Sequence, residues 1–435
     1  MDGARTRGQP AALGAVRAML RSGVPHAILL TGPASVGKTT LALDLAAALL
    51  CEHPDVAARP CRACRACRMQ DAGNHPDLHR LAPSGAGAQI GIGGTERSRG
   101  VRDLIAELVL MPVEGGARVA VIEEAQRLNE EAQSALLKTL EEPGAGVVLI
   151  LCAEEEERLL PTVRSRCARI RLGPVGVREI EDLLGELGLA EPPLAGRLAR
   201  IAAGRPGIAI AYARAPQAEA IRGELCRRLL DLRGEGTAAG LVAIRELQAR
   251  AMDLAKTLDA AASLGGTGGA GGPKAAKGRT GRGSKAGPKG SAVDAGAGPD
   301  TGAGGTDGSD EGAPEAARAD GEAGGTKLAA PERRRGALML VRIWQDLARD
   351  MALVALGERR LVRDPGLLDD LEAAVTREGT APGQRHHASG AGGPAAFLAR
   401  LSRAAELLEG NVAPELVLDT LVVAWPAGVG AEVSG

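Results

Sequence analysis

The chain has 435 residues, 45% of them apolar, enough to supply the cores of two or three domains, so it is not disordered as a whole. A formal charge of −1 excludes a global electrostatic pull toward nucleic acid or membrane; any such contact must come from local patches or partners. Aromatic residues make up 1% of the chain (Tyr212, Trp344, Phe397 and Trp425), so the interior must be packed with Leu, Val, Ile and Ala. Residues 1–10 are polar and precede no apolar stretch with a small-residue cleavage site, which predicts no signal peptide. The longest apolar run, 147–153, falls far short of the roughly 20 residues of a membrane span. A cytoplasmic protein without a membrane partner is expected, in which the seven cysteines read as thiols or metal ligands rather than disulfides.

In chain order, residues 26–31 (HAILLT) predict a strand that runs into a glycine loop and then an Ala/Leu-rich helix over 39–50. Further strands are predicted at 118–122 and 147–152. Between them lies a helix over 129–142, with Ala132, Ala135, Leu136 and Leu140 at three- and four-residue spacings. Strands alternating with helices argue for an α/β core with a parallel sheet. After Pro174 the pattern is helical through 259. From 264 to 335 it gives way to Gly, Ala, Pro, Ser and charge, basic first (Lys274, Lys277, Arg279, Arg282, Lys285, Lys289) and acidic from 294 to 322. Such a composition buries too little apolar surface to offset ordering entropy, so a disordered insert is expected, read as a plain linker rather than a tether that touches DNA through its basic half. Helix is predicted again over 337–355 and 395–421, with a Gly-rich gap at 379–393.

Gly32, Pro33, Ala34, Ser35, Val36, Gly37, Lys38 and Thr39 match the P-loop pattern, between a strand and a helix as that motif requires. Its backbone N–H groups curl around phosphate, Lys38 brings a point charge to the β- and γ-phosphates, and Thr39, followed by Thr40, offers a hydroxyl to Mg²⁺. The second element of such a site is an acidic residue after an apolar strand. Glu123 fits as the metal ligand and Glu124 as a water-activating base. Glu123 is one methylene longer than the usual Asp, and Mg²⁺ demands near-ideal octahedral geometry, so ATP binding is better supported than ATP hydrolysis.

Cys51, Cys61, Cys64 and Cys67 form a C-x9-C-x2-C-x2-C array after the P-loop helix. Four thiolates close a tetrahedral Zn²⁺ shell and leave no open position, so the expected metal is structural. His53 and His75 nearby read as ordinary surface or core histidines. The interleaved Arg62, Arg65 and Arg68 read as a solvated face rather than phosphate ligands. Cys152, Cys167 and Cys226 read as small buried residues without chemistry.

The P-loop, the four-Cys insertion, residues 134–143 (SALLKTLEEP) and residues 159–167 (LLPTVRSRC), in that order, resemble the clamp-loader subunits of bacterial DNA polymerase III. The resemblance is dense from about 8 to 167 and reappears at 204–207 (GRPG) and 411–416 (NVAPEL). Two subunit types share the knuckle, the ATP-hydrolysing gamma/tau motor and delta-prime. Residues 74–77 (NHPD), Glu123–Glu124 in place of Asp-Glu, Ala153 or Glu154 at the motor's polar sensor position, and Gly207 where a lid arginine would meet the γ-phosphate all favour delta-prime.

The resemblance implies an AAA+ P-loop core with a zinc knuckle over 1–174, a small helical lid over 175–216, and an all-α collar starting at 217–263. The collar is interrupted by the insert at 264–335 and resumes over 336–430. It implies a part in loading the sliding clamp onto primed DNA within the polymerase III holoenzyme, with gamma/tau and delta as partners and with clamp and primer-template DNA met through the complex. Arg166 would be an arginine finger for a neighbouring subunit's ATP, the chain's own ATPase being weak or absent. The rivals are a hydrolysing motor subunit with Glu124 as base, and a zinc-stabilised DNA-binding protein using the basic half of the insert and Arg333, Arg334 and Arg335.

Overall fold

The structure is a computed structural model that describes residues 1, 3–83, 89–93, 99–114, 116–263, 329–378, 393–410 and 412–425. In its first part, α1 (Pro10–Ser22), β1 (Ala27–Thr31) and α2 (Lys38–Leu50) lead through α3 (Arg65–Asp71), β2 (Leu78–Leu81), α4 (Val101–Val109) and β3 (Arg118–Ile122). The fold continues with α5 (Glu130–Glu141), β4 (Val147–Ala153), α6 (Pro161–Arg164) and β5 (Ala168–Arg171). The strands form one sheet in the order β2-β3-β4-β1-β5, every neighbouring pair parallel.

β1, β3 and β4 are buried along their whole length, which is why they read as continuous apolar runs rather than alternating ones. Alternate side chains serve opposite faces. Ile28 and Leu30 pack with Val16 of α1 and Leu41 and Leu45 of α2, whereas Ala27 and Leu29 pack with Leu104 of α4 and Leu136 and Leu140 of α5. The two edge strands, β2 and β5, are four residues each and only partly buried, and their mixed composition carries no strand pattern in the sequence. Helix α5 begins where Asn129 caps it, its side-chain oxygen accepting the Ala132 N–H at 2.8 Å.

Beyond the sheet the described chain is helical: α7 (Val177–Glu186), α8 (Pro192–Ala202), α9 (Pro206–Arg214), α10 (Pro216–Asp231), α11 (Thr237–Ser263), α12 (Ala330–Ala355), α13 (Leu368–Glu378), α14 (Pro394–Glu409) and α15 (Pro414–Ala424). Two expectations need correction. Helix α12 starts at Ala330, inside the span expected to be insert to 335. Its first turn is anchored by Lys256–Glu332 at 2.8 Å, Arg333–Glu415 at 3.1 Å and the Arg335–Asp259 pair. Charge that looked like linker composition is therefore paired with other helices. The expected helix over 395–421 is two helices, because Pro414 lacks the N–H that would continue α14 and suits the first turn of α15. The rest of the insert, 264–328, lies outside the described residues, as do 379–392 and Asn411. Among the described residues no helix is long and apolar enough to cross a membrane.

Three of the four aromatic side chains meet inside this helical part. Trp344, Phe397 and Trp425 have ring centroids 4.6 to 5.4 Å apart, and the Trp425 indole N–H donates to the Leu229 carbonyl at 3.0 Å. In a core otherwise built from aliphatic residues, no neighbour can refill the volume of an indole. Trp344→Ala is expected to lower the unfolding free energy of this part by about 3–5 kcal/mol. A urea titration that shows a loss under about 1 kcal/mol would mean that the cluster collapses around the gap.

Candidate nucleotide site and cysteine knuckle

Strand β1 delivers the chain into the P-loop. Gly32 has φ 143° and Gly37 φ 105°, both in territory that favours glycine, and a Cβ on Gly32 would lie 2.2 Å from the Leu172 carbonyl oxygen. The loop therefore needs glycine at both ends for backbone reasons. Lys38 opens α2 and is 9% exposed; its ammonium donates to the carbonyls of Gly32 at 2.8 Å and Pro33 at 2.6 Å. Burial lowers its pKa, an effect opposed by the charges of Glu154 and Glu124 and by Cys152. The Gln9 amide bridges the loop to the segment after β5, donating to Gly173 O at 2.6 Å. Gly207, near the start of α9, donates its N–H to Ser35 O at 3.1 Å, and a Cβ there would sit 3.1 Å from the Ser35 Cβ. The helix thus touches the loop directly, at a distance only a small residue allows.

Both acidic residues after β3 are engaged by arginines. Glu123 Oε1 accepts from Arg80 Nε at 3.0 Å and from Arg80 Nη2 at 2.6 Å. Glu124, in a left-handed conformation (φ 49°), pairs with Arg127 three residues on. Arg80 and Arg127 carry no signal in the sequence. Arg80 matters only once β2 is known to lie beside β3.

Arg166 sits just past the short α6. Its guanidinium donates to Thr162 O at 2.9 Å and pairs with Glu141 of α5 at 2.6 Å, and the side chain is 34% exposed. Nearby Arg169 leans on Glu156 at 3.7 Å instead.

The sulfurs of Cys51, Cys61, Cys64 and Cys67 all lie within 4.8 Å of one another. Zn–S bonds of about 2.3 Å in a tetrahedron put sulfurs about 3.8 Å apart, and Cys51 and Cys64 are 3.9 Å apart. The donor set and its spacing fit a zinc ion. The backbone N–H groups of Ala63 and then Cys64 bring the Cys61 pKa down to about 6, whereas burial raises those of Cys51 and Cys67. Cys152, Cys167 and Cys226 lie apart from this cluster. Burial pushes their thiols up to about 12, 11 and 11 respectively.

Arg62 corrects the expectation of a solvated arginine face. It turns inward from the knuckle to donate to Gly3 O at 2.9 Å, Gln70 Oε1 at 2.9 Å and Asp71 Oδ1 at 2.8 Å, and it pairs with Asp44 of α2. Asp44, 1% exposed, also accepts the N–H groups of Arg5 and Thr6 and the Thr6 hydroxyl. One carboxylate thus ties the knuckle and the N-terminal segment to the P-loop helix. Arg65 pairs with Glu114, and Arg68 donates to Ala63 O.

With this geometry in hand, comparison with known proteins is specific. Residues 8–176 match the family described as DNA polymerase III, delta subunit. The delta-prime subunit of Pseudomonas aeruginosa is 44% identical over 144 residues, 33% of this chain and 42% of that one. That part of the chain is similar to DNA polymerase III delta-prime subunits. The Escherichia coli delta-prime subunit is 35% identical over 205 residues (47% of this chain, 59% of that one), and the Escherichia coli tau subunit 34% over 186 (42% and 27%). The chain therefore spans about half the length of the delta-prime relatives it matches. A solved DNA polymerase III gamma-subunit-related protein of Thermotoga maritima aligns over 95% of this chain and 97% of its own at 15% identity, with a TM-score of 0.35.

The match to the delta-prime family spans the P-loop, the knuckle and the Arg166 segment, and includes residues 74–77, whose structural part is now visible. Asp77 is fully buried; its carboxylate accepts the N–H groups of Val113 at 2.8 Å and Glu114 at 2.9 Å and faces Arg118 at 3.3 Å. His75 is buried beside it, with Nδ1 accepting the Asp77 N–H at 3.1 Å, so it is a core residue and lies outside the set of four sulfurs.

Proposed function

We propose that this chain is a delta-prime subunit that helps load the sliding clamp onto primed DNA, binding ATP in its own P-loop with little or no turnover and presenting Arg166 to the ATP of a neighbouring gamma/tau-type subunit. The observation that carries this reading is the contrast within one site: the phosphate loop is whole, while Glu123, the carboxylate expected to hold the metal that hydrolysis needs, is gripped twice by the partly buried Arg80. The zinc knuckle is structural in this reading, and delta, gamma/tau, clamp and DNA are met within the complex.

The purified chain is expected to bind ATP in an equilibrium titration, to release no phosphate above the background of a Lys38→Ala control, and to lose binding in that variant. Sustained turnover that disappears with Lys38→Ala would instead identify a motor subunit with Glu124 as base. The DNA-binding reading rests on the basic half of the insert, outside the described residues, and on Arg333 to Arg335, of which Arg333 and Arg335 are paired with Glu415 and Asp259; tight, salt-sensitive DNA binding by the chain alone would favour it.

A further inference from the structure

We infer that Arg62 of the knuckle is a positioning residue for the phosphate loop, so that metal occupancy of the four cysteines and nucleotide affinity are coupled. The inference rests on the nucleotide- and zinc-binding readings above and adds the connection between them.

The connection starts at the backbone. Arg62 lies between Cys61 and Cys64 with φ 55°, a left-handed conformation that a non-glycine residue keeps only where its surroundings impose it. Here the turn is closed by the Cys64 N–H donating to Cys61 Sγ at 3.4 Å, so whatever holds those two sulfurs also holds the direction of Arg62. Its side chain is 17% exposed and uses all three nitrogens on Gly3 O, Gln70 Oε1, Asp71 Oδ1 and Asp44.

From Asp44 two paths reach the phosphate loop. The first is α2 itself, a rigid element that carries Asp44 and begins at Lys38. The second is the N-terminal segment. Asp44 accepts the N–H groups of Arg5 at 2.9 Å and Thr6 at 2.8 Å, and the Thr6 hydroxyl at 2.7 Å. Three residues on, Gln9 donates to Gly173 O at 2.6 Å and to Val36 O of the loop at 3.4 Å. The same segment is wedged against the knuckle, since a Cβ on Gly3 would lie 2.2 Å from Pro60 O and 3.0 Å from Arg62 Cγ. Asp44 is 1% exposed, and a carboxylate so buried that loses a guanidinium partner must shift or draw in water. Loss of the knuckle's hold therefore loosens both paths at once, and with them the preorganisation of the loop.

The test is the affinity of a fluorescent ATP analogue for the full chain, zinc-loaded and chelator-stripped under reducing conditions, with elemental analysis for zinc and thermal melts for the fold. The zinc-loaded wild type should bind about tenfold tighter than the stripped chain, a coupling of the usual size between sites, and stripping should be reversed by added zinc. By reciprocity, saturating analogue should tighten zinc binding by the same factor in competition with a chromophoric chelator. Lys38→Ala, the control for zinc held by free nucleotide, should show no such tightening. Arg62→Gln keeps the four sulfurs and should still carry zinc, yet bind the analogue within about twofold of the stripped wild type, whether or not zinc is present. That comparison uses the folded, zinc-loaded variant, so it does not depend on the stripped chain staying folded. Arg62→Lys restores charge at Asp44 without the other contacts and covers the case in which Arg62→Gln fails to fold; it should recover part of the affinity and part of the zinc dependence. A folded Arg62→Gln chain with wild-type affinity, or with the wild-type response to zinc, overturns the inference. Wild-type binding that is equal within about twofold with and without zinc also overturns it and leaves both readings standing. A chain that takes up no zinc, or binds no analogue, removes the corresponding reading and the inference with it.

Discussion

Arg166→Ala, in a complex reconstituted with the hydrolysing subunits, is expected to cut ATP turnover at the neighbouring site by roughly 10³-fold or more, the range set by arginine fingers in well-studied NTPases. The position of the side chain supports this. It projects from a short helix end, is one-third exposed, and within this chain is held by Thr162 O and Glu141. An exposed ion pair of this kind contributes only about 0.2–1 kcal/mol, so it can orient the guanidinium without preventing transfer to a phosphoryl oxygen. Arg166→Lys should rescue little, because an ammonium cannot reproduce the two-pronged geometry. Arg169, which leans on Glu156, supplies the contrast: Arg169→Ala should leave turnover near the wild-type rate. Equal losses for the two variants, or no loss for Arg166→Ala, would end the assignment.

The purified chain should carry one zinc ion, and stripping it with a strong chelator, or replacing Cys64 by Ser, should unfold the knuckle around residues 51–71. Structural zinc sites in small domains contribute about 10–16 kcal/mol of apparent binding free energy at neutral pH, and what a site contributes to folding depends on what else holds the segment. Here the sheet and α2 keep their own core, while α3 buries little besides Ala66, Cys67 and Gln70. The loss should therefore appear locally first, as fast hydrogen exchange over α3, together with a lower melting temperature for the core, which shares Asp44 with Arg62. Because the ligands are thiolates, affinity should fall as pH is lowered and protons compete for sulfur. Substoichiometric metal by elemental analysis, with identical melts before and after chelation, would contradict a structural zinc.

The sheet core was legible from the sequence to the extent that its signals are local. Burial on both faces makes β1, β3 and β4 uninterrupted apolar runs, and a P-loop is a contiguous segment whose glycines answer to the backbone of that same segment. The short edge strands β2 and β5 escaped because four half-buried residues have no period to read. The early start of α12 escaped because Glu332, Arg333 and Arg335 look like linker charge until Lys256, Glu415 and Asp259 stand beside them.

The candidate site divides the same way. The sequence by itself determined which residues could hold phosphate and zinc, since Lys38 and Thr39 sit within one loop and three of the four cysteines within seven residues. Only the tertiary structure decided the state of the acids and arginines around them. Arg80 meets Glu123 across 43 residues, Arg62 meets Asp44 across 18, and Arg166 finds Glu141 on a different helix. A charged side chain gives no hint in the sequence of which opposite charge it will meet, because that choice follows from strand order and helix packing set by apolar residues elsewhere.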